Sequence, residues 1–274
     1  MSADIVLSQG VRSNLLQLQK TSELITATQS KLSTGKRVNS ALDNPINYFT
    51  AAGLQNRASD LGNLLDSMST GINTIQAANN GITAITKLVQ SGQALASQAM
   101  QTSDVSIRAG LATQYDAIRG QITQLAADAG FNGINLLDST ASSNLTVTLN
   151  ENGTSSVTIT AVDFSAAGLS VGASTGSWAT AGDIGTANTD LTAALTTLRS
   201  QSQAFGSNLS TVQIRQDFTK AMINTLQTGA DSLTLADSNE EGANLLALQT
   251  RQQLSTTALS LASQASQAVL RLFN

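Results

Sequence analysis

Residues 245–273 read LLALQTRQQLSTTALSLASQASQAVLRLF, and this stretch decides the fold. Leu245, Gln252, Leu259, Ser266 and Phe273 recur every seven residues, and Leu248, Ser255, Ala262 and Val269 follow three residues after the first four. That spacing makes a helix that buries one stripe against another helix. A further stripe runs through Leu254, Ala258, Leu261, Ala265, Ala268 and Leu272. Two stripes on one helix call for partners on more than one side. The opposite end of the chain has a matching pattern in residues 11–32, VRSNLLQLQKTSELITATQSKL, where Val11, Leu18, Ile25 and Leu32 recur every seven residues. Leu15, Ser22 and Gln29 are expected at its second seam position. The two terminal helices are therefore expected to pair. Both stripes run almost to the chain ends, where most chains fray, so neighbouring copies are expected to complete the subunit.

Working inward, Gly35 ends the first helix, and Asp43-Asn44-Pro45 signals a turn and a new helix start. Pro45 is the single proline, so the helices beyond it run uninterrupted. The second helix spans roughly 45–100, with Leu61, Met68, Ile75, Ile82, Val89 and Ala96 in one heptad position. Its glycines, Gly62, Gly71, Gly81 and Gly92, are expected at close packing contacts rather than at a hinge. Thr102-Ser103-Asp104 caps a third helix, which ends near Ala129. Leu145, Val147 and Leu149, then Asn150-Glu151-Asn152-Gly153, then Val157, Ile159 and Ala161 make a hairpin. Residues 165–187 lack periodicity and are expected to form a short surface loop, with Trp178 covering the hairpin. Leu191, Leu198, Phe205, Val212, Thr219, Leu226 and Leu233 define a fourth helix over about 188–235. Asp237, Glu240 and Glu241 suit the start of the last helix.

The expected fold is mainly α: an elongated antiparallel helical coiled-coil rod with paired terminal helices and a small β-hairpin region. Residues 1–42 with 238–274 would form the terminal coiled-coil domain. Residues 43–164 with 188–237 would form a helical core domain, and 165–187 a short variable surface loop.

Composition narrows the function. The 274 residues carry a net charge of −4 with no basic run, which argues against a nucleic-acid surface. The chain has no cysteine and no histidine, so thiol nucleophiles, His-ligated metals and Ser-His triads are excluded. Phosphate-binding loops and metal-ligand spacing are lacking too, so an enzyme is the least favoured class and no cofactor or metal is expected. No apolar run reaches transmembrane length, and Met1-Ser2-Ala3-Asp4-Ile5 does not open a Sec-type signal peptide. A membrane partner is not expected. Lys36 and Arg37 fit a helix-dipole or subunit contact better than an acidic ligand.

Several stretches in order resemble the bacterial flagellins. Residues 32–43, Leu-Ser-Thr-Gly-Lys-Arg-Val-Asn-Ser-Ala-Leu-Asp, are similar to the N-terminal flagellin signature. Phe131-Asn132-Gly133-Ile134-Asn135-Leu136-Leu137 resembles the turn before the family's core hairpin. Ala236-Asp237 with Glu240 and Glu241, then Ala247-Leu248-Gln249 and Gln252-Gln253-Leu254, resemble the C-terminal signature, as does the ending Val269-Leu270-Arg271-Leu272-Phe273. The short form and the missing histidine resemble alphaproteobacterial members.

The resemblance implies a structural subunit that polymerises into the flagellar filament for motility. It implies a secreted, extracellular protein, exported by the flagellar type III route without signal cleavage. Homopolymer neighbours, sister flagellins, an export chaperone, the filament cap and hook-junction proteins are its implied partners. The polymer interface would involve Val11, Leu15, Leu18, Ile25, Leu32, Lys36, Arg37, Asn39, Leu254, Leu259, Leu261, Val269, Leu272 and Phe273. The hook–filament junction protein is the alternative within the family, and a cytoplasmic coiled-coil signalling rod the alternative outside it. In family members that activate the innate flagellin receptor, charged residues stand where this chain has Ser91, Gln93 and Ala94, ahead of Leu95. Weak activation is the expectation.

Overall fold

The structure, a computed structural model, describes residues 9–139 and 144–272. Phe273 lies outside them, as do the side chains of Val269 and Leu272. The described elements are α1 (Gln9–Thr34), α2 (Pro45–Gln101), α3 (Val105–Asp128), β1 (Leu145–Thr148), β2 (Ser156–Ile159), a 3-10 turn (Thr175–Trp178), α4 (Ala181–Thr234) and α5 (Ser238–Leu272). Among the described residues the chain is mainly helical with one small antiparallel sheet, as its periodicity predicts.

The chain divides into two compact units. One takes Met1–Asn56 with Thr225–Asn274, the other Arg57–Asn224. The expected boundaries, 42/43 and 237/238, followed helix ends. The divisions fall instead inside α2 and α4, at 56/57 and 224/225, so the first turns of α2 and the last turns of α4 group with the terminal helices.

In the larger unit α2 and α4 run antiparallel. Asn79 Oδ1 accepts from Ser202 Oγ at 2.8 Å, and Gln216 Nε2 donates to Ser69 Oγ at 2.9 Å. The heptads read from sequence face inward. Leu61, Met68, Ile75, Ile82, Val89 and Ala96 are buried on α2, and Leu191, Leu198, Phe205 and Val212 on α4. Asp104 caps α3 by accepting the N–H groups of Ser106 and Ile107. Asn135 is buried at the other end of α3, and its Nδ2 donates to the carbonyls of Ala126 and Ala127 at 2.7 and 2.8 Å. One amide side chain thus satisfies two of the carbonyls that a helix end leaves without partners. Asn135 also anchors the Phe-Asn-Gly turn, where Asn132 and Gly133 take positive φ. The hairpin pairs Leu145 with Ile159 and Val147 with Val157. Val147 lies so close to α2 that a Cβ on Gly71 would meet its Cγ2 at 2.5 Å. Gly81 has a similar close contact with Leu137 and Ala129, whereas Gly62 faces open space and does not fit the packing expectation.

Residues 165–187 depart most from expectation. They do not form a surface loop, and α4 starts at Ala181 rather than near 188. Phe164, Leu169, Val171, Trp178 and Ile184 are buried in the core, and polar side chains of α3 hold the strap's backbone. Arg119 Nε donates to Val171 O at 2.9 Å, Tyr115 Oη to Gly172 O at 3.0 Å, and Asp116 Oδ1 accepts from Ser174 N at 3.0 Å. Trp178 is buried and packs at a 41° tilt against Tyr115 of α3, ring centroids 5.0 Å apart.

Candidate assembly surface

The smaller unit is built on α1 and α5, which pack against each other. On α5 the inward residues are those the heptad gives: Leu245, Leu248, Gln252, Ser255, Leu259 and Ala262 are half-buried. On α1 the first seam also holds, with Ile25 buried and Val11, Leu18 and Leu32 half-buried. The second seam needs correction. Asn14, Thr21 and Thr28 face inward, while Leu15, Ser22 and Gln29 are exposed. Threonine suits this position because its hydroxyl can bond within its own helix while its methyl packs. Thr21 Oγ1 donates to Gln17 O at 2.8 Å. A seam so rich in polar groups buries little apolar surface.

The pair is pinned at one end. Lys31 Nζ meets Glu241 Oε1 at 2.9 Å, and Glu241 is itself buried. Gly35, at φ +67°, lets the chain leave α1 in the left-handed region that suits glycine. The next residues lie against the α4–α5 corner. Arg37 N donates to Thr234 O at 2.8 Å, Ala236 N to Gly35 O at 3.0 Å, and Lys36 forms an antiparallel bridge with Leu235. Arg37 Nη2 reaches Ser232 O at 3.2 Å in the last turn of α4, where a cation complements the helix dipole. Asn39 Nδ2 donates to Lys36 O at 3.1 Å. The backbone N–H groups of Ser40 and Asn39 both donate to Asp43 Oδ2 at 2.9 Å and hold its carboxyl below the usual range. Residues 32–43 are therefore a joint between helices. Asp237 then caps α5 by accepting from Asn239 N at 2.8 Å.

The residues named from sequence fall into two groups. Val11, Leu18, Ile25, Leu32 and Leu259 line the seam within one chain, and Arg37 and Asn39 hold the joint. Leu15, Leu254 and Leu261 face solvent, as does Lys36. The second α5 stripe is thus uncovered: Leu254 and Leu261 are 67% and 61% exposed, and Leu246, outside the stripe, is 66% exposed. Leu16 and Leu24 are exposed on α1, and sequence reasoning missed both along with Leu246. Each lies one position outside a heptad, and an isolated leucine there has no periodic signal. On the larger unit Ser91 and Ala94 are exposed, Gln93 donates to Thr192 Oγ1 at 3.2 Å, and Leu95 packs against the core. Among the described residues no cluster of acidic side chains could hold a metal, and no helix is long and apolar enough to cross a membrane.

The pattern of the bacterial flagellin N-terminal helical region matches residues 8–142, and that of the flagellin C-terminal helical region matches residues 183–273. Flagellin FljM of Caulobacter vibrioides is 32% identical over 263 residues, which cover 94% of each chain. The chain belongs to the bacterial flagellin family. Flagellin FljO of the same organism is 33% identical, again over 94% of each chain, and a flagellin of Brucella melitensis is 27% identical over 99% of each. This flagellin is of alphaproteobacterial type, a structural protein and a subunit of the flagellar filament; the junction-protein alternative is not favoured. The two family patterns leave out residues 143–182, a stretch that includes the hairpin and most of the buried strap.

Proposed function

We propose that this flagellin polymerises through the face of its terminal helix pair that its own fold leaves uncovered. The observation that carries this reading is the second α5 stripe. Leu246, Leu254 and Leu261 are exposed on a helix whose other stripe already has a partner in α1. Leu15, Leu16 and Leu24 extend the apolar surface on α1. By sequence position Leu272 belongs to the second α5 stripe, and Val269 and Phe273 to the heptad paired with α1. The seam residues Val11, Leu18, Ile25, Leu32 and Leu259 act indirectly by holding the pair together, and Lys36, Arg37 and Asn39 fix the joint at its base. A contact between two different surfaces, repeated without closing, produces an open helical polymer.

The subunit leaves the cell through the flagellar export route. It meets an export chaperone, the filament cap and hook-junction proteins, and shares the filament with sister flagellins. It carries out no catalysis and holds no cofactor. The segment around Ser91, Gln93, Ala94 and Leu95 activates the innate flagellin receptor weakly; potent activation by purified protein in a reporter cell would contradict this. The assembly reading is tested by seeded polymerisation of the full-length chain and of one lacking residues 254–274, viewed by electron microscopy. Filaments from the first and none from the second are expected. Filaments of equal length from both would refute it.

A further inference from the structure

The strap over α3 ends in a backbone conformation that its side chains do not favour. Gly176, Ser177 and Trp178 take φ of +54°, +50° and +57° in succession, and Ala179 N closes the turn by donating to Gly176 O at 3.1 Å. In the left-handed region Cβ crowds the following carbonyl, so glycine is at ease there and other L-residues enter it singly. Only the first of these three is glycine. Ser177 is exposed, and its hydroxyl makes no hydrogen bond among the described residues that would offset the strain.

The same turn buries a polar group. Trp178 is fully buried against Tyr115, and its indole Nε1–H meets no acceptor among the described residues. A buried donor of this kind costs stability and marks a place where strain is stored. Such a conformation persists only where its surroundings over-determine it. Here α3 grips the turn on both sides. Asp116 accepts from Ser174 N and from Ser174 Oγ before the turn, and Arg108 Nη1 donates to Ala179 O at 3.2 Å after it.

We infer that residues 171–179 form a strained latch over α3 that opens as a unit while the helices stay folded. Both costs are confined to 176–178, and both disappear when Trp178 swings out. The backbone then relaxes to ordinary φ, and the indole donates to water. Fraying of α2 or α4 relieves neither cost. The side chains that grip the latch, Arg108, Asp116 and Arg119, are only half-buried, so water replaces their bonds once it lifts. Segments with these properties supply the local openings of a folded protein. Burial of the Trp178 ring opposes the opening, so the open form is the minor one. Opening uncovers Tyr115 and gives the α3 face a second form without any change in α2 or α4.

The chain's single tryptophan reports on the latch alone. Ser177→Gly removes only exposed atoms and relieves the strain at that residue. Hydrogen exchange is followed by NMR in the full-length wild-type protein and in this variant, at the indole N–H and at the backbone amides of α2. In the wild type the indole N–H should be protected at least tenfold less than the most protected α2 amides. Ser177→Gly should raise indole protection about fivefold. Indole protection equal to that of the α2 amides would overturn the latch, because Trp178 would then leave only when the whole unit unfolds. Indole protection unchanged or lowered by Ser177→Gly would overturn the assignment of strain as its cause.

Discussion

Truncating the uncovered leucines of α5 should weaken the polymer without weakening the subunit. Leu254 and Leu261 are 67% and 61% exposed. Full burial of a leucine side chain stabilises by about 1.5–3 kcal/mol. Burying the roughly two-thirds still in water would therefore contribute about 1–2 kcal/mol per residue to the subunit contact. Leu254→Ala or Leu261→Ala removes most of that. Since 1.4 kcal/mol is a tenfold change in an equilibrium constant, each should raise the critical concentration for seeded growth by roughly five- to thirtyfold. The two positions are two helical turns apart, so the double variant should be close to additive. Within the monomer both sit on solvent, and leucine and alanine are both strong helix formers. Thermal stability of the dilute monomer should stay within about 0.5 kcal/mol of wild type. Ile25→Ala provides the contrast. Ile25 is buried in the seam, so its loss should destabilise the terminal unit by about 2 kcal/mol, at the low end of core truncations because the seam is thin. The measurements are the residual soluble protein at equilibrium with filaments, and monomer melting by circular dichroism. If Leu254→Ala lowers monomer stability but leaves the critical concentration unchanged, that stripe is an internal contact and the reasoning fails.

Other perturbations follow from single contacts. Gly62→Ala, with open space around it, should stabilise α2 by about 1 kcal/mol; Gly71→Ala should instead destabilise, by about 1–2 kcal/mol after the helix gain is offset, because its methyl would strike the stiff Val147 side chain. Denaturant midpoints of the two variants should move in opposite directions. Burial pushes the Tyr115 hydroxyl up to about 12, with Asp190 and Asp116 adding to the shift and Arg119 opposing it. Its folded value lies above the ordinary one near 10, so its stabilising contribution is intact below pH 10 and is lost as pH rises toward 12. Tyr115→Phe should flatten that alkaline loss in thermal melts. Asp237→Ala should cost about 1 kcal/mol by uncapping α5, read as faster hydrogen exchange in the first turn of that helix.

The long heptads were legible because buried positions there are filled by large apolar residues at a constant period. The α2 and α4 stripes needed no further information, and Asp104 and Asp237 announced their caps. The second seam of α1 was hidden by chemistry: Leu15 is the more apolar neighbour, yet Asn14, Thr21 and Thr28 face α5. A threonine that returns its hydroxyl to its own helix counts as polar by composition and packs by its methyl. The strap at 165–187 was hidden by geometry. Its anchors Leu169, Val171, Trp178 and Ile184 are irregularly spaced, so no period marks them, and its backbone is held by Tyr115, Asp116 and Arg119 from a distant helix. The assembly residues were legible in part. The heptad identified α5 as two-sided, but which leucines stay in water depends on the register with α1, and that comes from the three-dimensional packing.

The most direct test of the assembly account is a helical reconstruction of the native filament by electron cryo-microscopy. The account predicts that the α1–α5 pair keeps its internal seam, with Ile25 against α5, while Leu246, Leu254 and Leu261 are buried against the terminal helices of neighbouring subunits. A filament in which those three leucines remain in contact with solvent, on either side of its wall, would contradict it.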